Sequence, residues 1–102
     1  MDTETCTDVR KADLSGADLI LYFLEKIGVD FIFGIPGGAI EPLYDSLARS
    51  ARRGGIRPIV TRHETSSVFA ADGYTRQTGK LGVCCATTGP GATNLITGVA
   101  NA

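Results

Sequence analysis

No apolar run in the 102-residue sequence approaches the ~18 residues needed to cross a bilayer, so no transmembrane helix is expected. A surplus of either charge is missing too. Ten Lys and Arg stand against eleven Asp and Glu, a net charge of −1. That balance gives no electrostatic reason to expect nucleic acid or an anionic membrane as partner. There is one histidine, His63, and no further His, Cys or carboxylate ligands stand near it at metal-site spacing, so no metal site is expected. Three cysteines cannot close a disulfide framework within one chain. Cys84 and Cys85 are adjacent and would point to opposite faces of a strand, and Cys6 sits in a polar stretch. Three free thiols in a reducing compartment are expected. Residues 1–13 lack the apolar core of a signal peptide, and their acids (Asp2, Glu4, Asp8, Asp13) argue against a mitochondrial transit peptide. They read as a frayed N-terminal tail, and a cytoplasmic location follows. Proline is scarce, at four residues against thirteen glycines, and with clear apolar periodicity this argues for Gly-rich turns between regular elements.

With 43% apolar and 21% charged residues, the chain reads as one globular domain over 14–102. Ser15 can cap a helix in which Ala17, Ile20, Leu21, Leu24 and Ile27 recur at helical spacing, with Gly28 as its stop. Residues 29–33 form a short aromatic and β-branched run, expected as a buried strand. After the turn at 35–38, a second helix carries Ile40, Leu43, Tyr44, Leu47, Ala48 and Ala51 on one face. It closes in Arg49, Arg52 and Arg53 before Gly54 and Gly55, and cations there suit the helix dipole better than they suggest a phosphate site. A strand at 56–60 follows, with Pro58 hinting at a sheet edge. A helix rich in small residues spans 64–78, a strand 81–86, and a fourth helix begins at Ala92. This α-β-α-β-α-β-α order predicts an α/β fold: a parallel sheet with helices on both faces. The sequence stops at Ala102 inside the fourth helix, so a piece of a longer protein is expected.

In such a sheet, ligands bind beyond the carboxyl ends of the strands. Three loops meet there: residues 35–38, 61–64 and 87–91. Two are Gly-rich and open helices, a setting that favours anions, but neither carries a dinucleotide or P-loop pattern. Rigid turns that let a flat ligand approach the backbone fit equally well. Glu64 is the most pointed residue. Desolvation in an apolar crevice would raise its pKa, as proton handling requires, while the helix N-terminus pulls the other way. His63 is expected to edge the pocket. Asn94 could address a heterocycle, or serve only as a cap.

Four motifs stand in order: Gly34-Ile35-Pro36-Gly37-Gly38, Arg62-His63-Glu64, Ala70-Ala71-Asp72-Gly73-Tyr74-Thr75-Arg76 and Gly89-Pro90-Gly91-Ala92-Thr93-Asn94. Over residues 14–102 the chain resembles the N-terminal, pyrimidine-binding domain of thiamine diphosphate enzymes of the acetolactate synthase and pyruvate oxidase group. The resemblance implies a thiamine diphosphate-binding fold, present here as the first part of the pyrimidine domain. It implies that Glu64 hydrogen-bonds N1′ of the aminopyrimidine and so steers the proton leaving C2 of the thiazolium. It implies that Pro90, Gly91 and Asn94 line the pyrimidine, and that Gly37, Gly38 and Ala39 face the reacting carbon. It further implies decarboxylative condensation of 2-oxo acids, and a homodimer or homotetramer packed through the small-residue helix after Glu64. Mg2+ would be held by a domain outside this chain, and FAD is a cofactor the longer enzyme can carry. The isolated chain is expected to be inactive.

Four positions depart from the usual pattern. Thr65 replaces a glutamine, Ser66 and Ser67 replace alanine or glycine, and Ile35 replaces a tyrosine. They leave room for relatives such as glyoxylate carboligase, 2-oxo acid decarboxylases or oxidases. A cofactor-free scaffold copy is the rival reading, and the retained carboxyl group at Glu64 speaks against it.

Overall fold

The computed structural model describes residues 14–102, so the expected tail at 1–13 lies outside the described residues. The elements are α1 (Gly16–Lys26), β1 (Phe31–Gly34), a 3-10 turn (Gly38–Ile40), α2 (Glu41–Arg52), β2 (Arg57–Val60), α3 (Glu64–Thr78), β3 (Val83–Cys85), α4 (Pro90–Thr93) and α5 (Ile96–Asn101).

Local chemistry sets the helix ends. Ser15 caps α1 in a reciprocal box with Asp18: the Ser15 hydroxyl accepts from the Asp18 N–H at 3.2 Å, and the Asp18 carboxylate accepts from the Ser15 N–H at 3.2 Å. At the other end Gly28 takes φ +89°, its N–H donates to the Glu25 carbonyl, and the Val29 N–H donates to the Leu24 carbonyl. That is a Schellman stop. Helix α2 ends the same way, through Gly54 to Ala51 and Gly55 to Ser50.

The three strands are parallel in the order β2-β1-β3. Strand β1 is central, with Ile32 opposite Pro58 on one side and Val83 on the other. Pro58, lacking an N–H, accordingly lies on an edge strand. Side chains alternate across the sheet. Ile32 joins Leu21, Val29, Leu47 and Ile56 in a core under α1 and α2. Phe31 and Phe33 face the other way and meet Tyr74 of α3, with ring centroids 5.6 and 6.2 Å away. Helices therefore cover both faces, and the expected α/β architecture stands.

Each strand is shorter than its apolar run, because flanking N–H groups are spent elsewhere. Val29 N–H closes α1, Ile56 N–H donates to the buried Ser50 hydroxyl at 2.9 Å, and Gly82 N–H donates to the Thr75 hydroxyl at 2.8 Å. The expected single fourth helix is two short ones, broken at Asn94 and Leu95. At that break the Asn94 carbonyl accepts the Thr65 hydroxyl at 2.7 Å. The arginine cluster does more than suit a dipole. Arg49 reaches Asp18 at 2.6 Å and Arg53 reaches Glu25 at 2.9 Å, binding α2 to α1.

Candidate functional site

The chain leaves β1 toward β2 through α2 and returns past β1 to β3 through α3. The order of the sheet thus reverses between β1 and β3, the switch point beyond whose strand carboxyl ends such sheets bind ligands. Thr87 stands between the loops that follow these two strands. A Cβ on Gly37 would lie 2.7 Å from Thr87 Cβ, and one on Gly91 would lie 2.9 Å from Thr87 Cγ2. Both glycines are therefore required by the packing of the two loops on one threonine. At Gly37 and Gly91 the direction a side chain would take is filled by Thr87.

Glu64 opens α3 from the end of β2 and is half-buried. Its Oε2 accepts from Asn94 Nδ2 at 3.2 Å, and its Oε1 lies 3.4 Å from where a Gly91 Cβ would stand. The structure thus gathers Glu64, Gly91, Asn94 and, through Thr87, Gly37. Pro90 opens α4 and is exposed, while Gly38 and Ala39 stand on the surface in the 3-10 turn, where a Cβ on Gly38 would meet open space. His63 does not simply edge a pocket. It is the N-cap of α3, its Nδ1 accepting from the Thr65 N–H at 3.1 Å.

Of the two opposed pulls expected on Glu64, that of the helix start is the stronger. Glu64 titrates below the ordinary glutamate value, not above it. Its own N–H at the helix start is the largest cause, the Asn94 amide the next, and His63 adds a little; desolvation opposes them and loses because the carboxyl group is not deeply covered. At neutral pH the site holds a carboxylate whose acceptor capacity exceeds the bonds it receives from its own N–H and from Asn94. That fits a ligand presenting N–H groups, such as an aminopyrimidine.

Two residues beside the site were not singled out as contacts by sequence reasoning. Thr87 is the packing post for both glycines, and its only signal was its place ahead of Gly89-Pro90-Gly91. Thr65 fastens the Asn94 carbonyl, and its only signal was that it departs from the usual glutamine. A separate open groove, lined by Ser15, Asp18, Glu41 and Arg49, lies on the α1 and α2 side of Gly38, and Glu64 does not line it. Among the described residues no group of three His, Cys, Asp or Glu could hold a metal ion.

Comparison with known proteins adds a family. Residues 14–102 match the family described as thiamine pyrophosphate enzyme, N-terminal TPP binding domain. The chain is 53% identical over 89 residues to the acetolactate synthase large subunit of Parasynechococcus marenigrum, covering 87% of this chain and 14% of that protein. It is 52% identical over 89 residues to acetolactate synthase isozyme 2 large subunit of Escherichia coli, covering 87% of this chain and 16% of the relative. It is 49% identical over 87 residues to the chloroplastic acetolactate synthase of Arabidopsis thaliana, covering 85% of this chain and 12% of the relative. The chain thus spans about one-seventh of the length of these relatives, 14% for the first.

Proposed function

Because the chain belongs to the thiamine pyrophosphate enzyme family through its N-terminal TPP-binding domain, we propose that it supplies the pyrimidine-binding half of a cofactor site in an acetolactate synthase-like carboligase. One observation carries this reading: Glu64, Asn94 and Gly91 converge at the sheet's switch point, with the carboxylate tied to Asn94 at 3.2 Å. Thiamine diphosphate, when bound, supplies the carbon nucleophile that attacks a 2-oxo acid.

The rest is the work of this chain's own residues. Glu64 would accept from the aminopyrimidine when its ring nitrogen N1′ carries a proton, while Asn94 occupies Oε2. The carboxylate starts charged. Seating a flat heterocycle over it would exclude water, set desolvation of the carboxylate against the pull of the helix start, and bring it nearer to sharing a proton with a ring nitrogen. Pro90 and Gly91 border that ring, and Gly37, Gly38 and Ala39 border the reacting side of the crevice.

The same reading takes pyruvate and a second 2-oxo acid as substrates, and Mg2+ held by residues outside this chain. It makes the longer enzyme a homodimer or homotetramer. Ser66 and Gly73 are exposed along α3 with the half-buried Ala70 at helical spacing between them, and such small residues suit close packing against a second subunit. No described helix is long and apolar enough to cross a membrane. Cys84 and Cys85 are free thiols, as a reducing compartment requires, and we assign the enzyme to the cytoplasm.

The test is Glu64→Gln in the longer protein that carries this domain. The substitution keeps shape and removes the ionisable group. Hydrogen–deuterium exchange at C2 of bound thiamine diphosphate should slow by about two to four orders of magnitude, the range of a general acid–base contribution. Exchange at the unaltered rate would refute the role.

A further inference from the structure

Thr65 is held at both ends. Its N–H donates to His63 Nδ1 at 3.1 Å, and its hydroxyl donates to the Asn94 carbonyl at 2.7 Å. The second bond ties the first turn of α3 to the break between α4 and α5. A second bond joins the same two segments: Asn94 Nδ2 donates to Glu64 Oε2 at 3.2 Å. The two bonds run in opposite directions between adjacent residues of α3 and one residue of the break. Asn94 takes helical angles, φ −68° and ψ −9°, yet the helix does not continue through it. The main chain of Asn94 is thus anchored by one neighbour of Glu64 while its side chain is delivered to Glu64 itself.

We infer that Thr65 is a positioning residue, whose hydroxyl holds the Asn94 main chain so that the Asn94 amide reaches the Glu64 carboxylate. Its role for the reaction rests on the assignment of Glu64 given above, but the clamp itself does not. A threonine suits this task where a longer amide would not be needed: the hydroxyl sits on Cβ, and a β-branched side chain has few rotamers to lose. Loosening the clamp frees Asn94 to leave the carboxylate. The other groups acting on Glu64, its own N–H and His63, stay in place.

The experiment uses the 102-residue chain without cofactor, following the Glu64 side-chain carboxyl carbon by NMR through an acid titration. Wild type, Thr65→Ser, Thr65→Val, Asn94→Ala and the Thr65→Val/Asn94→Ala pair are compared. The midpoint should shift upward toward the ordinary glutamate value in Thr65→Val and in Asn94→Ala, and stay at its wild-type position in Thr65→Ser. The double variant should titrate as Asn94→Ala does, since both changes break one contact. A Thr65→Val midpoint equal to wild type, or shifts that add in the pair, would overturn the inference. Thr65→Ala serves as a second hydroxyl-free variant should valine disturb folding. One measurement needs no variant: the Asn94 Nδ2 protons of the wild type should titrate with the Glu64 midpoint, and protons indifferent to it would also overturn the clamp. None of these readings involves thiamine diphosphate, so the clamp can stand where the cofactor assignment fails, and the reverse.

Discussion

Single side chains in this domain repeatedly serve two neighbours at once, and Asp18 shows what that is worth. Its carboxylate completes the Ser15 cap, accepts the Ser46 hydroxyl at 2.6 Å, and pairs with Arg49 at 2.6 Å. The Ser46 bond is the largest of the influences that hold this carboxyl far below its ordinary value of 3.8. A carboxyl lowered on folding contributes stability above its unfolded pKa, and that contribution fades as pH falls through the folded one. Asp18→Asn should therefore cost about 1–3 kcal/mol at neutral pH, from a lost cap partner and a lost charge-assisted bond. The gap between wild type and variant should shrink as pH falls below about 4. Urea denaturation of both proteins across that range checks the sign. A gap that widens in acid would contradict it. Glu25 plays the matching part lower on the same helix pair, meeting Arg53 and the Ser50 hydroxyl, while Ser50 also receives the Ile56 N–H.

At the scale of elements, the helix ends were legible because their signals are local. Ser15, and Gly28 and Gly54 at positive φ, act within a few residues of themselves. The start of α3 at Glu64 and the edge position of Pro58 were legible for the same reason. Strand ends were not. Whether Ile56 or Gly82 joins a ladder depends on hydroxyls of Ser50 and Thr75, which the fold brings in from neighbouring helices. The break at Asn94 was equally hidden, being tied to Thr65, 29 residues away. Of the candidate site, the loops and Glu64 were readable from topology. The direction of its titration was not, since that depended on how far the crevice is covered. Two glycines separate packing within this chain from packing between chains. A Cβ on Gly98 would sit 2.5 Å from Val68, where α5 crosses α3, whereas a Cβ on Gly73 would meet nothing. Gly98→Ala should destabilise the chain by about 1–3 kcal/mol through overpacking. Gly73→Ala, in mid-helix, should stabilise it by about 0.5–1 kcal/mol. Thermal melts of the isolated chain read both signs. In the longer enzyme Gly73→Ala should instead weaken subunit association, which sedimentation would detect; undiminished association would argue against α3 as the subunit face.

For the molecule as a whole, the sheet has three strands, and much of its apolar surface faces outward. Phe23 on α1 is 59% exposed, Ile96 and Val99 on α5 are 63% and 62% exposed, and Val60 on the edge strand is 62% exposed. Such surface is ordinarily covered by further protein. The candidate site has the same character. Its carboxylate is reached from one side only, by Asn94 and Gly91, and desolvation there is too weak to outweigh the helix start. A pyrimidine laid on it would gain a charge-assisted hydrogen bond while half of its surface stayed in water. Among the described residues no group of three His, Cys, Asp or Glu stands together to hold a metal at the diphosphate end. Binding must also repay lost translational and rotational freedom, about 4 kcal/mol at least. One charged hydrogen bond, at about 1.5–3 kcal/mol, does not reach that sum. The isolated 102-residue chain should therefore show no tight, magnesium-dependent heat of binding when titrated calorimetrically with thiamine diphosphate, and no turnover of 2-oxo acids. A saturable, magnesium-dependent isotherm at micromolar cofactor would mean that this domain alone completes the site, and the proposal that it supplies only the pyrimidine half would fall.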